Sequence, residues 1–217
     1  MSYFPFFMEI AGKGCLIAGG GSVALRKAEK LLPFGVRIMA VAPMFCEEFR
    51  ELDGVRRVER PFMPEDLEGM MFVIGATNDS AVNAEISRLC RERGIPVNIV
   101  DDRENCTFFF PALVKRGDFV AGFSSGGNSP LAARYIREKA EESIPLHFEE
   151  TVALLGAFRE RAKREIPDGR EREKAFRRLF ALALEGNGNV TEMDLENLLK
   201  DTPRAGRFPQ ALSAAVQ

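Results

Sequence analysis

A run of glycines near the start of the chain has the spacing that most directly indicates chemistry. Gly19, Gly21 and Ala24 fit the pattern G-x-G-x-x-A, in which the first glycine permits a tight turn and the second lets backbone approach a pyrophosphate. Ala24 lets the following helix pack closely on the preceding strand. The helix starts at Ser22 and Val23, where unpaired N–H groups and the positive end of the helix dipole attract an anion. We therefore predict a dinucleotide here, although a glycine-rich turn without a ligand fits the same pattern.

The remainder of a dinucleotide site is incomplete in this sequence. An acidic residue about 20 residues past the glycines usually binds the adenosine ribose, but residues 39–44 contain none. We expect backbone groups at Pro43 and Met44 to replace it. The choice between NAD and NADP stays open on these residues, and the lack of a basic residue there to bind a 2′-phosphate favours NAD. Thr77 and Asn78 follow another apolar run and are also predicted to contact the cofactor.

Asp101 is the predicted catalytic residue. It follows the apolar run 97–100, which predicts a strand, and ligands of doubly wound sheets bind outside the carboxyl ends of the strands. A carboxylate at this edge can accept a proton from a substrate. The alternative is that Asp101 caps a turn together with its neighbour Asp102.

A second candidate binding segment, residues 124–130, is rich in hydroxyls and glycines and precedes a predicted helix over residues 131–142. Backbone N–H groups and serine hydroxyls at a helix start can bind an anion. An elaborate helix cap explains the same residues equally well. The candidate substrate-binding residues are Ser124, Ser125, Gly126, Gly127, Asn128 and Arg134, with Lys115 as a further cation.

The elements that position these groups alternate between strands and helices. Strands are predicted before Gly19 and over residues 36–42, 55–58, 71–76 and 97–100, with helices over residues 23–32 and 80–93. This order predicts an α/β fold with a parallel, doubly wound sheet. The further predictions are two antiparallel strands (107–111 and 118–123), helices over 148–163 and 171–184, and a last helix to Lys200 opened by a capping box of Thr191 and Asp194. Phe4, Phe6, Phe7 and Met8 are expected to pack on the sheet, and residues 204–217 are expected to fray.

Composition excludes several classes of protein. The 217 residues include 30 basic and 32 acidic side chains, so the net charge of −2 gives no overall attraction to nucleic acid. The four cysteines are widely spaced, which argues against a zinc site or disulfide framework and suits a reducing cytoplasm. No segment fits a signal peptide or a membrane span. The only histidine, His147, lies at a predicted helix start and is expected to face solvent. We predict a cytoplasmic protein with no metal site.

Four separate segments together resemble the precorrin-2 dehydrogenase family, which forms the N-terminal module of siroheme synthase. They are residues 19–27, residues 76–79 with Asn83, residues 97–101, and residues 124–131 with Ala132 and Arg134. The resemblance extends from residue 3 to about residue 145. It implies NAD-dependent oxidation of precorrin-2 to sirohydrochlorin on the pathway to siroheme, with ferrous ion insertion in some members. It also implies a homodimer.

The resemblance completes the predicted organisation and mechanism. A Rossmann-like NAD-binding domain would span residues 1–101, a small α+β dimerisation and substrate domain 102–144, and a helical domain 145–217. Precorrin-2 would lie between the first two domains, with Asp101 accepting a proton during hydride transfer to NAD. Any ferrous ion would be held mainly by the tetrapyrrole itself.

Two other functions stay open at this point. One is a redox sensor that binds NAD(H) and signals through its helical tail, although the mixed charges of residues 148–200 contain no obvious basic element that would read nucleic acid. The other is a dehydrogenase of a different small substrate.

Overall fold

The structure is a computed structural model that describes residues 4–200; the end predicted to fray, residues 204–217, lies outside them. The chain divides into two compact units, one ending at Phe110 and the other beginning at Pro111. The predicted boundaries of three domains stay a prediction.

The first unit contains a five-stranded parallel sheet in the order β3-β2-β1-β4-β5. Its strands are β1 (Gly14–Ala18), β2 (Arg37–Ala42), β3 (Val55–Glu59), β4 (Met70–Gly75) and β5 (Val97–Ile99). Its helices are α1 (Ser22–Leu31), α2 (Glu47–Glu51) and α3 (Ser80–Glu92), with short 3₁₀ turns at Leu32–Phe34 and Pro64–Leu67. Because β1 lies between β2 and β4, the order reverses there, and the loops after β1 and β4 meet at the switch point where such sheets bind ligands. The predicted α/β class with a parallel sheet is confirmed.

Both faces of this sheet are covered, which explains the apolar runs of its inner strands β1, β2 and β4. Cys15 and Ile17 of β1 pack with Ala24 and Ala28 of α1 on one face. Alternate β1 residues pack on the other face with Ile86 of α3. The small side chains of α1 allow the helix to lie close to the strand, as the third position of the glycine pattern requires.

An ion pair between half-buried Arg60 and buried Asp66 stabilises the connection between β3 and β4. Asp66, nearly inaccessible to solvent, accepts hydrogen bonds from both terminal nitrogens of Arg60 at 2.8 and 2.6 Å and from Met63 N–H at 2.9 Å. The hydrogen bonds from Arg60 and the Met63 backbone hold the pKa of the Asp66 carboxyl below its usual value.

We expect Asp66→Asn to lower the stability of the fold at pH 7. Since the pKa of Asp66 is lowered in the folded state, its stabilising effect is complete above the unfolded-state pKa of about 3.9 and is lost as pH falls through the folded-state pKa. Urea unfolding should therefore give a lower midpoint for the variant at neutral pH and a smaller difference in acid. Asp53→Asn, at an exposed turn, is the control. Equal midpoints for Asp66→Asn and the parent at pH 7 would contradict this prediction.

The second unit begins with an antiparallel pair, β6 (Ala112–Arg116) and β7 (Phe119–Phe123), packed with helix α4 (Pro130–Ser143). Three further helices follow: α5 (Phe148–Glu165), α6 (Gly169–Glu185) and α7 (Glu192–Lys200). Phe158, Ala175 and Leu179 form the centre of their shared core. The predicted capping box is confirmed, because Thr191 and Asp194 exchange side-chain and backbone hydrogen bonds.

Two predictions about aromatic segments are wrong. Residues 107–111 form no strand. The strand that pairs with β7 is β6, which begins at Ala112, just after the predicted segment. Phe108 and Phe110 instead pack against the core of the first unit, while the Thr107 hydroxyl oxygen accepts a hydrogen bond from Val97 N–H at 2.7 Å. These contacts hold the segment on the edge of the sheet rather than in a hairpin.

The N-terminal aromatic residues also do not cover the sheet. Phe4, Phe6 and Phe7 are 70–85% exposed and Met8 is 51% exposed. Ile10 is the first residue that packs against the core. The face beside it is already covered by α1 and by Phe108 and Phe110, so the preceding residues have no apolar surface left to occupy there.

Candidate active site

The glycine turn lies between two neighbouring loops and opens at one position only. A side chain at Gly19, where φ is +133°, would place its Cβ 2.3 Å from the Ala76 carbonyl oxygen after β4. A Cβ at Gly20 would lie 2.1 Å from the Met44 carbonyl oxygen after β2. By contrast, a Cβ at Gly21 would meet nothing within 4 Å. The first two glycines are therefore required by the fold, and the third presents its backbone to an open space.

The start of α1 has the character of an anion site. Gly21 is its N-cap and supplies no side-chain hydrogen bond, and its first turn contains no acidic residue. Helix α3, in comparison, is capped by Asp79, which accepts from Ala81 and Val82 N–H at 2.8 and 3.2 Å. The first-turn N–H groups of α1 at Ser22 and Val23 are thus available to a negatively charged ligand. This open, uncapped turn fits the pyrophosphate of a dinucleotide.

The other predicted cofactor residues lie in the two loops that touch the glycine turn. Pro43 and Met44 are exposed, and the segment they begin is fixed by a 2.8 Å hydrogen bond from Cys46 N–H to the Gly20 carbonyl. The Thr77 hydroxyl lies 2.8 Å from Asn83 Oδ1, and Asn83 Nδ2 donates to the Thr77 carbonyl at 3.0 Å. Thr77 therefore stiffens its own loop, while Asn78 is exposed beside it.

Asp101 follows β5 at the same edge of the sheet. Its side chain is exposed and has no hydrogen-bond partner among residues 4–200. Its backbone has φ of +59°, in the left-handed region that non-glycine residues rarely adopt. Aspartate tolerates this conformation better than most residues, at a cost of about 1 kcal/mol. Such strain is common where a functional side chain must point in a fixed direction.

The loop after Asp101 is held in place from several sides. Asp102 accepts from the backbone and side-chain nitrogens of Asn105 at 3.2 and 2.7 Å, and these bonds lower its pKa. The Asn105 carbonyl accepts from Ser87 Oγ at 2.9 Å, and Arg91 donates to the Glu104 carbonyl at 2.7 Å. Asp102 therefore caps the turn, and the carboxylate of Asp101 is left free of that task.

Lys27 of α1 is a charged group near Asp101 that the sequence did not single out. Its Nζ lies 4.2 Å from the centre of the Phe110 ring. Burial lowers the pKa of Lys27 and nearby Lys30 lowers it further, while Cys106 and Asp101 oppose the shift. The sequence predicts a strand over residues 107–111, so it gives no indication that Phe110 packs against α1 beside Lys27.

In the second unit, the hydroxyls of the segment 124–130 bind backbone. Ser124 Oγ accepts from Gly126 N–H at 3.2 Å, Ser125 Oγ accepts from Ser129 N–H at 2.9 Å, and the hydroxyl of Ser129 caps α4. Gly126 and Gly127 have φ of 64° and 82°, which requires glycine. This geometry is a helix cap, and each hydroxyl retains a hydrogen that it can donate to a ligand.

The polar side chains beside this segment are accessible. Asn128 and Arg134 are exposed, and Arg134 forms an ion pair with Glu138 at 2.8 Å. Lys115 donates to the Gly117 carbonyl. Across the described part of the chain, no three His, Cys, Asp or Glu side chains are grouped to hold a metal ion. None of the helices in residues 4–200 has the length and apolar character to cross a membrane.

A parallel sheet whose glycine turn opens beside an uncapped helix defines a Rossmann-like dinucleotide-binding protein. In agreement, residues 6–112 match the family described as "Putative NAD(P)-binding". The chain is 36% identical over 217 residues to siroheme synthase of Thioalkalivibrio sulfidiphilus, covering 95% of this chain and 44% of that protein. It is 41% identical over 183 residues to siroheme synthase of Pseudomonas aeruginosa (strain LESB58), covering 83% of this chain and 39% of that protein.

A solved structure described as SirC, precorrin-2 dehydrogenase, has the same fold, with a TM-score of 0.67 and 21% identity over 92% of this chain and 98% of that one. By sequence, this chain is thus similar over most of its length to part of the siroheme synthases, and by fold it is similar to SirC. It spans less than half the length of the two siroheme synthases.

Proposed function

We propose that this chain catalyses the NAD-dependent oxidation of precorrin-2 to sirohydrochlorin, a step in siroheme biosynthesis. The observation that carries the proposal is the free, exposed carboxylate of Asp101 at the sheet edge that also carries the open glycine turn. The names of the sequence relatives, siroheme synthases, support the choice of substrate.

Different residues of the chain bind the cofactor and accept the proton in this reaction. N–H groups of the first turn of α1 bind the pyrophosphate, and backbone groups at Pro43 and Met44 bind the adenosine end. When bound, NAD⁺ supplies the acceptor for the hydride that leaves the substrate. Asp101 accepts the proton that leaves with it, so the substrate loses two electrons and two hydrogens in total. The lack of any basic residue in residues 39–44 supports NAD rather than NADP.

The substrate carries many carboxylates and needs hydrogen-bond donors. We assign this role to the segment 124–128, through the hydroxyls of Ser124 and Ser125, the side chain of Asn128 and the backbone at Gly127, and to Arg134; Gly126 N–H already donates to Ser124 Oγ and orders the loop. Insertion of ferrous ion is a second proposed step. The described residues contain no cluster of metal ligands, so the ion would be a substrate held by the tetrapyrrole nitrogens.

The test is an assay of the purified chain with precorrin-2 and NAD⁺. We expect the absorbance of sirohydrochlorin to appear together with one NADH per product, and a slower reaction with NADP⁺. Addition of ferrous or cobaltous ion then tests metal insertion. Binding of NAD(H) without turnover would reject the proposal and favour the redox sensor.

We further propose that the chain is a homodimer assembled through the α4 region. Helix α4 has no buried residue, and Leu131, Tyr135 and Ile136 on it are at least half exposed. Within residues 4–200 it packs mainly with β6 and β7, and an isolated two-stranded hairpin is marginally stable in water. Apolar residues gathered on one exposed helix commonly mark a protein interface.

Leu131→Glu is therefore expected to convert the dimer into monomer, because the new charge would have to be desolvated within the interface. Sedimentation velocity at micromolar concentration measures the change. Leu146→Glu, which places the same charge at a residue that is 88% exposed outside α4, should leave the dimer intact. A parent chain that sediments as a monomer would refute the proposed dimer.

A further inference from the structure

Lys27 has an unusual environment for a lysine on the outside of a helix. Its side chain is half-buried, and the ammonium lies over the ring of Phe110. Within the part of the chain that the structure describes, no carboxylate lies close enough to Lys27 to form a salt bridge. Other basic side chains of the first unit, such as Arg60 and Arg88, do have such partners.

The position of Phe110 places this cation near the proposed catalytic residue. The ring of Phe110 lies 5.3 Å from that of Phe108, and the Phe108 carbonyl accepts a hydrogen bond from Asn98 Nδ2 at 3.0 Å. Asn98 belongs to β5, the strand that leads directly to Asp101. The negative charge of Asp101 favours the charged form of Lys27. Cys106 Sγ accepts a hydrogen bond from Ile99 N–H at 3.2 Å and so fixes the loop after Asp101 to the end of β5.

A charge in this position is costly unless an anion joins it. Burial disfavours the ammonium form, and the neighbouring cation Lys30 disfavours it further. The face of an aromatic ring attracts a cation but compensates only part of that cost. No acid among residues 4–200 pairs with Lys27, so an anion from outside the chain would be stabilised here.

We propose that Lys27 binds a carboxylate of the tetrapyrrole substrate and so orients its ring system beside Asp101. This inference rests on the proposed function. The phosphates of the dinucleotide are the other source of anionic oxygen, but they have their own site at the uncapped first turn of α1. Lys27 lies five residues beyond Ser22, about 7.5 Å further along the helix axis, where its ammonium lies over the Phe110 ring.

Lys27→Met tests this role, because methionine keeps an unbranched apolar stem over Phe110 and removes only the charge. Binding of sirohydrochlorin, followed by its absorbance change, should weaken at least about tenfold, and the KM for precorrin-2 should rise similarly. The affinity for NAD⁺ should stay within about twofold. Because the lost contact is ionic, added salt should weaken sirohydrochlorin binding less in the variant than in the parent.

Two further variants separate this role from a general effect of charge or folding. Lys27→Arg restores a cation and should recover most of the affinity, and Lys13→Met, the same substitution at an exposed lysine that precedes β1, should bind like the parent. If the parent chain binds no tetrapyrrole, both this inference and the proposed function fail. If the parent oxidises precorrin-2 but Lys27→Met binds the product as tightly, or loses NAD⁺ affinity instead, this inference alone fails.

Discussion

Asp101→Asn should lower the rate of precorrin-2 oxidation by about 10²- to 10⁴-fold while leaving NAD⁺ affinity unchanged. Asparagine has the same size and also tolerates the left-handed conformation, with φ of +59°, that the loop imposes at this residue. It cannot accept the proton that the substrate releases. Single-turnover oxidation followed by NADH absorbance measures the loss, and fluorescence of bound NADH measures cofactor affinity.

A matched substitution tests whether charge alone is responsible. Glu104→Gln removes one negative charge from the same loop, on another exposed side chain, and should turn over like the parent. Thermal unfolding should show little difference among the parent and both variants, because neither side chain anchors the loop; that task belongs to Asp102 and Asn105. Normal turnover by Asp101→Asn would remove Asp101 from the mechanism.

The sequence predicted those elements whose cause lies within a few residues of the chain. The helix after the glycine turn, its end near Pro33 and Gly35, and the capping box at Thr191 all depend on local backbone preferences. The buried parallel strands could also be predicted, because a strand that is buried on both faces has a run of apolar residues. The confirmed α/β class follows from the order of these elements alone.

The failures lie where a residue's partner is distant in the sequence. Residues 107–111 look like a strand, but Phe108 and Phe110 find a better site against the sheet and α1. The prediction that Phe4, Phe6 and Phe7 pack on the sheet is wrong because residues distant in the sequence already cover the adjacent surface, which leaves these three exposed.

The same limit applies to the candidate site. The glycine turn and Asp101 could be found from motifs and strand ends. Lys27 could not, because its environment depends on Phe110, which lies 83 positions later in the sequence. The sequence also could not divide the roles of Asp101 and Asp102. The hydrogen bonds to Asn105 were needed to show which of the two caps the turn.

Gly21→Ala separates folding of the first unit from its cofactor binding. The backbone at Gly21, with φ of −89° and ψ of −178°, suits alanine, and the new Cβ would meet no atom of the protein within 4 Å. The variant should therefore fold with a loss of stability within about 1 kcal/mol, the scale of an N-cap change. In the complex, however, that Cβ would occupy the space where the backbone approaches the pyrophosphate. We expect NAD⁺ affinity to fall by about 100-fold or more, measured by titration calorimetry.

Substitution of the neighbouring Gly20 is expected to affect folding rather than cofactor binding. Gly20→Ala would place its Cβ 2.1 Å from the Met44 carbonyl oxygen, so it should destabilise the fold itself and lower the midpoint of urea unfolding. Gly156→Ala, at another open glycine on α5, should leave NAD⁺ binding unchanged. If Gly21→Ala binds NAD⁺ as well as the parent, the dinucleotide does not lie against this turn. Because the proposed role of Asp101 requires the hydride acceptor at the same sheet edge, that result would also reject the mechanism.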